Sequence, residues 1–268
     1  MKQKPQILLV NDDGIRSPGL WSAAEALASL GYVTVAAPRE QSSGLGRSLP
    51  STSSGIIHRE TLTIHGQDWT VYAVEGSPAQ AVLHGILEIM PTPPDLVVSG
   101  INYGENIGTG VTVSGTVGAA MEAAAMGIPA LAVSLETHHS YHLSYSRDVD
   151  FDAAGQFTAR FARILLEGSL PEAVQVLKVE VPSDATLETG WELCRLTRQR
   201  YYEPTRPNRP TWDVPGVVGY REAWNPAEDT EDTDAYVMRK KRLVAVTPIG
   251  LDLTARVDFS ALQQLLQK

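Results

Sequence analysis

Four short stretches of this 268-residue chain carry residue types that can do chemistry. The first, Asn11-Asp12-Asp13-Gly14, follows the apolar run Ile7-Leu8-Leu9-Val10. Adjacent carboxylates repel, so both stay ionised only with a cation or several donors close by. Neighbours in a strand point to opposite faces, so the chain must leave the strand here, and Gly14 permits it. Taken alone, the same residues also suit a polar turn in which Asp13 assists a helix start. Ser42-Ser43-Gly44 comes shortly after Pro38, and Ser99-Gly100-Ile101-Asn102 follows another apolar strand. Singly, Ser43 and Asn102 are ordinary turn residues. With the aspartates they form an all-oxygen set of carboxylate, hydroxyl and amide carbonyl, which suits Mg²⁺ or Mn²⁺ rather than zinc.

The fourth stretch, Ser114-Gly115-Thr116, ends a glycine-rich loop and opens an Ala-rich helix. Free N–H groups at a helix start bind anions, and Gly115 allows close approach. A plain N-cap by Ser114 or Thr116 fits equally well. A divalent cation beside an anion-binding helix start reads as phosphate-ester chemistry. Two carboxylates cancel the charge of the cation, so the N–H groups must help hold an incoming phosphate dianion.

The elements that position these stretches alternate between strand and helix. Strands are expected at Ile7 to Val10, Val33 to Ala37, Leu96 to Val98, Ala130 to Leu135 and Val174 to Val181, and a hairpin at Ile56 to His65 and Trp69 to Val74. Helices are expected from Pro18 to about Leu30, Pro78 to about Met90, Thr116 to Met126 and Asp150 to Gly168. This pattern predicts an α/β fold, a Rossmann-like, mostly parallel sheet with helices on both faces, whose ligands sit beyond the carboxyl ends of the strands. Residues 1–182 would form this catalytic domain. Residues 183–268 would form a C-terminal β-hairpin arm and oligomerisation segment, with strand Leu243 to Thr247 and terminal helix Phe259 to Gln267 packing back. The acidic stretch from Glu228 to Asp234 and the basic one from Arg239 to Arg242 read as a solvated part of that arm. An arm that cannot bury itself docks on a partner subunit.

Composition sets outer limits. Lys and Arg number 22 against 31 Asp and Glu, a net charge of −9, and no basic run exceeds Arg239 to Arg242, which argues against a nucleic-acid polymer as partner. The 43% apolar and 20% charged content is that of a soluble globular protein. Cys194 is the single cysteine, so neither an intrachain disulfide nor a thiolate metal cluster forms, and a buried thiol is expected. Lys2 and Lys4 precede too short an apolar run for a signal-peptide core, and Gly127 and Pro129 interrupt the stretch from Ala123 to Leu135, so a cytoplasmic protein without a membrane span is expected.

Several motifs in order carry a family resemblance. They are Ile7 to Ile15, the Ala37-Pro38 turn leading to Ser43-Gly44, and Val98 to Asn102 with Asn106 and Gly108. Ser114-Gly115-Thr116-Val117 with Ala119, Ala120, Met121 and Glu122 follows, and Thr247-Pro248-Ile249 with Asp252-Leu253-Thr254 closes the series. Together they resemble the SurE family of survival-protein phosphatases. The resemblance implies a metal-dependent nucleotidase acting on nucleoside monophosphates at the 5' and also the 3' position, with a polyphosphatase side activity in some members. It implies a C-terminal arm exchanged in a homodimer, with a tetramer as a further state. Carried over by residue, Asp12, Asp13, Ser43 and Asn102 would hold the metal, with Asp12 and Asp13 catalytic. Asn106, Ser114, Gly115 and Thr116 would bind the phosphate. The chain departs from the family pattern at Gly76-Ser77-Pro78-Ala79-Gln80-Ala81, where Gln80 and Ala81 replace an Asp-Cys pair, and at Pro50, where Thr is usual.

Other readings meet specific objections. An aspartyl-nucleophile phosphatase needs acids at i and i+2, and Asn11 is no nucleophile. A receiver-like Mg-binding signalling module needs an Asp and a Lys where Ser99-Gly100 and Glu136-Thr137 stand. A dinucleotide site lacks its glycine fingerprint after the first strand. A protein that binds nucleotides without hydrolysing them stays open. His138, His139 and His142 read as a solvated loop, and Arg47 as a surface residue.

Overall fold

The computed structural model describes residues 4–142 and 144–267. The chain runs through β1 (Gln6–Val10), α1 (Pro18–Ala28), β2 (Tyr32–Pro38), β3 (Ile57–Ile64), β4 (Gln67–Val74), α2 (Pro78–His84), β5 (Leu96–Tyr103), α3 (Gly115–Ala125), β6 (Ala130–Leu135), α4 (Asp152–Glu167) and β7 (Val176–Val181). It continues with β8 (Trp191–Leu193), β9 (Tyr202–Thr205), β10 (Gly219–Glu222), α5 (Asp234–Arg239), β11 (Val244–Ile249) and α6 (Phe259–Leu266). Nine strands form one sheet in the order β3-β4-β2-β1-β5-β6-β7-β11-β8. From β4 to β7 all neighbours are parallel, while β3 and β11 run antiparallel to β4 and β7.

Alternation along the buried strands builds the two layers. Ile7 and Leu9 face α1 and α4 with Leu20, Ala24, Phe157 and Phe161. Leu8 and Val10 face α2 and α3 with Val82, Val117 and Ala120. Each such fully buried aliphatic contributes about 1.5–3 kcal/mol. Proline at the first turn and the Ser77 cap start α2: Ser77 Oγ accepts from Gln80 N, and Gln80 Oε1 accepts from Ser77 N. Gln80 thus completes a capping box. It also donates to Pro50 O at 3.0 Å.

Two expectations need correction. First, β5 does not stop at Val98. A bulge between Ser99 and Asn102 lets pairing with β6 resume at Asn102 and Tyr103, so Asn102 belongs to the strand end rather than to a free loop. Second, the stretch from Glu228 to Arg242 is not a solvated hairpin. It includes α5, whose Asp234, Ala235, Val237 and Met238 are buried, and Arg239 and Arg242 pair with Glu136 instead of the acidic stretch. The hairpin is β9–β10. Cys194 is buried, and burial pushes its thiol up to about 11. No described helix is long and apolar enough to cross a membrane.

β1 lies between β2 and β5, so the chain builds the sheet outward in one direction and then returns to build the other. The switch in strand order therefore falls at the carboxyl ends of β1 and β5, where such folds bind ligands.

Candidate functional site

The candidate site begins at the turn after β1. Asn11 closes that turn with its side chain, accepting from Gly14 N and donating to Gly14 O, both at 3.1 Å. Gly14 has a φ of 100°, which a side chain would strain. Asn11 is therefore occupied as a brace. Asp12 and Asp13 are both buried, and they diverge onto different partners.

Asp12 docks on the start of α3. Thr116 Oγ1 donates to its Oδ1 at 2.5 Å, and the backbone N–H groups of Gly115 and Thr116 also act on this carboxyl. A Cβ added at Gly115 would lie 2.7 Å from both Cβ and Oδ2 of Asp12, so glycine is what lets the helix start come this close. Asp13 docks on β5: Tyr103 N donates to its Oδ2 at 3.0 Å, and Tyr145 OH donates to its carbonyl at 2.8 Å. Burial raises the pKa of both carboxyls, and the charge of Asp12 raises that of Asp13 further. No lysine or arginine is among the groups that offset this. Two desolvated, adjacent carboxylates without a counter-charge are what a divalent cation would relieve.

The remaining expected ligands stand around this pair. Asn102 donates through Nδ2 to Tyr103 O and to Gly104 O, the latter at 2.6 Å, which leaves Oδ1 without a donor among the described residues. Ser43 is exposed at the rim, and Gln41 Nε2 joins it to the pair, reaching Ser43 Oγ at 3.3 Å and Asp13 Oδ1 at 3.5 Å. The donor set is thus two carboxylates, an amide oxygen and a hydroxyl, suited to a hard cation. No group of three or more His, Cys, Asp or Glu that could hold a metal occurs among the described residues.

Ser114 caps α3 by accepting from Val117 N at 3.1 Å, so its hydroxyl hydrogen stays available. Thr116 has directed its hydroxyl to Asp12 instead. Asn106 lies beyond β5, its Nδ2 donating to Ser134 Oγ at 2.9 Å. Arg47 pairs with Glu122 at 2.6 Å, and 40% of its side chain remains exposed.

The amino-acid pattern and this geometry agree with comparisons to known proteins. The family model described as "Survival protein SurE" matches residues 7–203. A "5'-nucleotidase SurE" of Thermococcus gammatolerans is 44% identical over 97% of this chain and 96% of its own length. One of the same name from Methanocaldococcus jannaschii is 40% identical over 94% of each. The crystal structure of the SurE protein from Aquifex aeolicus superposes with a TM-score of 0.74 at 31% identity, covering 98% of this chain and all of that one.

This chain belongs to the SurE family.

Several residues around the SurE site carry no motif of their own. Gln41 holds both Asp13 and the carbonyl of His142, the latter at 2.7 Å. His142 is therefore not part of a solvated loop. Its ring is half-buried against Gly104 and bonds the Tyr220 hydroxyl of β10, and burial lowers its pKa. Glu105 is buried beside Asn106, and its Oε1 accepts from both Tyr201 and Tyr202 hydroxyls at 2.9 and 2.8 Å. For Gln41 and Glu105 the only sequence signal is adjacency to a motif, and His142 carries none, because their partners lie far away in the chain, those of Glu105 and His142 in the arm.

Proposed function

We propose that this chain is a divalent-metal-dependent phosphomonoesterase that hydrolyses nucleoside 5'-monophosphates, and also 3'-monophosphates, to nucleoside and phosphate. The observation that supports it best is the buried Asp12–Asp13 pair, without a counter-charge, set against the start of α3. The names of the Thermococcus and Methanocaldococcus relatives point to the same substrate class.

Asp12, Asp13, Ser43 and Asn102 would hold Mg²⁺ or Mn²⁺. When bound, such an ion supplies positive charge at a phosphoryl oxygen and acidifies a water. Asp12 or Asp13 would orient the attacking water in line with the leaving nucleoside oxygen and take up its proton, which the leaving oxygen then receives as it departs as the nucleoside hydroxyl. Ser114 and Asn106 would hold the phosphate oxygens, and the N–H groups of Gly115 and Thr116, which act on the Asp12 carboxyl, would be shared between that carboxyl and the phosphate. The helix start favours the added negative charge by about 0.3–1 kcal/mol, more when partly buried. This arrangement also accepts the terminal phosphate of a polyphosphate chain, which presents the same oxygens.

The assembly would be a cytoplasmic homodimer, or a dimer of dimers, formed through the segment 183–268. α6 supports this: contrary to the expectation from the sequence, it does not pack back on its own chain, and it leaves Phe259, Leu262, Leu265 and Leu266 all exposed. Residues 1–182 would then supply the catalytic groups of each site.

The test is phosphate release from a panel of nucleoside monophosphates with Mg²⁺, Mn²⁺ or chelator. Release that needs the metal and disappears in Asp13→Asn supports the reading. No release under any metal overturns it.

A further inference from the structure

Three ionisable side chains outside the metal set are completely buried: Lys178 and Glu180 on β7, and Asp234 at the start of α5. Lys178 and Glu180 stand two apart on a strand, so they share one face. The Lys178 ammonium has three hydrogens and three acceptors: Asn106 O at 2.9 Å, Asp234 Oδ2 at 3.1 Å and Glu180 Oε1 at 3.2 Å. Glu180 Oε2 accepts from Asn106 N at 2.9 Å, and Asp234 Oδ2 accepts from Gly108 N at 2.9 Å. Both main-chain polar groups of Asn106 thus end on this cluster, and its side-chain amide ends on Ser134. Asp234 Oδ1 reaches the arm through Thr197 N at 2.9 Å.

The cluster is poorly explained as a device for stability. Well-packed apolar residues in place of a buried ion cluster are often neutral or stabilising by about 1–4 kcal/mol. What apolar residues cannot do is hold the N–H and C=O of a loop that crosses them. Asn106 has one Nδ2 hydrogen bonded to Ser134 and one left over, and its direction depends on the main chain beneath it.

We propose that Lys178, together with Glu180, is a positioning residue for phosphate binding, holding the Asn106 main chain so that its remaining amide hydrogen faces the phosphate. This rests on the nucleotidase reading for the role of Asn106. Asp234 makes the same grip depend on correct docking of α5.

The test compares wild type with Lys178→Met, Asn106→Ala and the double variant, using the full chain. In Lys178→Met, KM for a nucleoside 5'-monophosphate and the calorimetric Kd for inorganic phosphate with Mn²⁺ should both rise about tenfold, with kcat changed less than about threefold. Hydrogen exchange should speed up at the Asn106 and Gly108 amides and stay unchanged in β1 and β5. On the Asn106→Ala background, Lys178→Met should add no further rise. A lowered melting temperature with KM and Kd unchanged would overturn the inference, as would full additivity with Asn106→Ala. If Lys178→Met does not fold, Lys178→Met/Glu180→Gln removes one charge of each sign and is judged by the same readouts. Phosphate binding without hydrolysis in the wild type would overturn the nucleotidase reading alone, and the Kd and exchange arms would still decide this one. No phosphate binding by the wild type would overturn both.

Discussion

Thr116 Oγ1 donates to Asp12 Oδ1 at 2.5 Å, joining residues 104 positions apart in the chain. Through this bond the carboxylate at the end of β1 and the helix start that would hold phosphate become one rigid wall. In the proposed phosphatase, a metal held by Asp12 and a phosphate held at the start of α3 would be coupled through this contact, which is the preorganisation that phosphoryl transfer needs.

That wall predicts the outcome of Gly115→Ala. The new Cβ would sit 2.7 Å from Asp12 Cβ and Oδ2, so either the carboxylate or the helix must shift. A displacement of the order of 1 Å lowers kcat/KM by about a hundredfold, and the overpacking costs about 1–3 kcal/mol of stability. Steady-state kinetics and urea unfolding check both numbers. Near-normal activity would mean that Asp12 does not need its present position.

Asp13→Asn separates catalysis from folding. Burial and the neighbouring Asp12 charge both disfavour ionised Asp13. In chelator, removing that charge should leave the melting temperature equal or higher, while activity disappears. Adding Mn²⁺ should then raise the wild-type melting temperature and leave that of the variant nearly unchanged, because only the former binds the ion tightly. Differential scanning fluorimetry with and without EDTA reads the contrast.

How much of this was legible in the sequence depends on the range of each interaction. β1 and β6 stand out because strands buried on both faces are near-continuous apolar runs, and the strand-end motifs follow from that frame, whereas β7 alternates valine and leucine with Lys178 and Glu180, whose burial depends on distant partners. The end of β5 was not legible, because a bulge restores pairing past Gly100, and that depends on β6 rather than on the local residues. Asp234 read as one more acid in an acidic stretch. Its burial is set by Lys178, 56 positions away. His142 and Gln41 likewise gain their places from contacts across the fold.

Glu105 should make stability fall with rising pH. Burial raises its pKa to about 7 against the two tyrosine hydroxyls that favour its ionised form. The folded protein then keeps a proton that the unfolded chain releases near the ordinary value of 4.5, so stability is lost between there and about 7. Glu105→Gln removes this dependence. Relative to wild type, the variant should gain up to about 3 kcal/mol between pH 4 and pH 8, measured by urea unfolding at the two values. An unchanged difference would mean that Glu105 titrates normally.

Glu136 should act in the opposite sense. Burial alone would raise its pKa, but Arg242 and Ser183 outweigh burial and hold the carboxyl down at about 2. Its contribution is then complete above the unfolded value of 4.5 and is lost as pH falls toward about 2. Glu136→Gln should cost about 2 kcal/mol at pH 7, as expected for hydrogen bonds to a charged group, and the gap to wild type should narrow by pH 3. A constant gap across that range would show that the ion pair is not what stabilises this corner.

The terminal helix gives the last prediction. α6 is well capped, with Asp258 accepting from Ser260 N and Ala261 N, yet it spans only 8 residues. A helix so short is marginal without packing. Phe259, Leu262 and Leu265 recur every three residues and are 66%, 41% and 62% exposed. A second copy of the chain would cover that stripe in the proposed dimer. Leu262→Glu/Leu265→Glu removes two buried leucines from such an interface, about 4 kcal/mol, and should raise the dimer Kd about a thousandfold. Light scattering at micromolar concentration should then report a dimer for wild type and a monomer for the double variant. A wild-type monomer, or a variant that stays dimeric, would remove α6 from the interface.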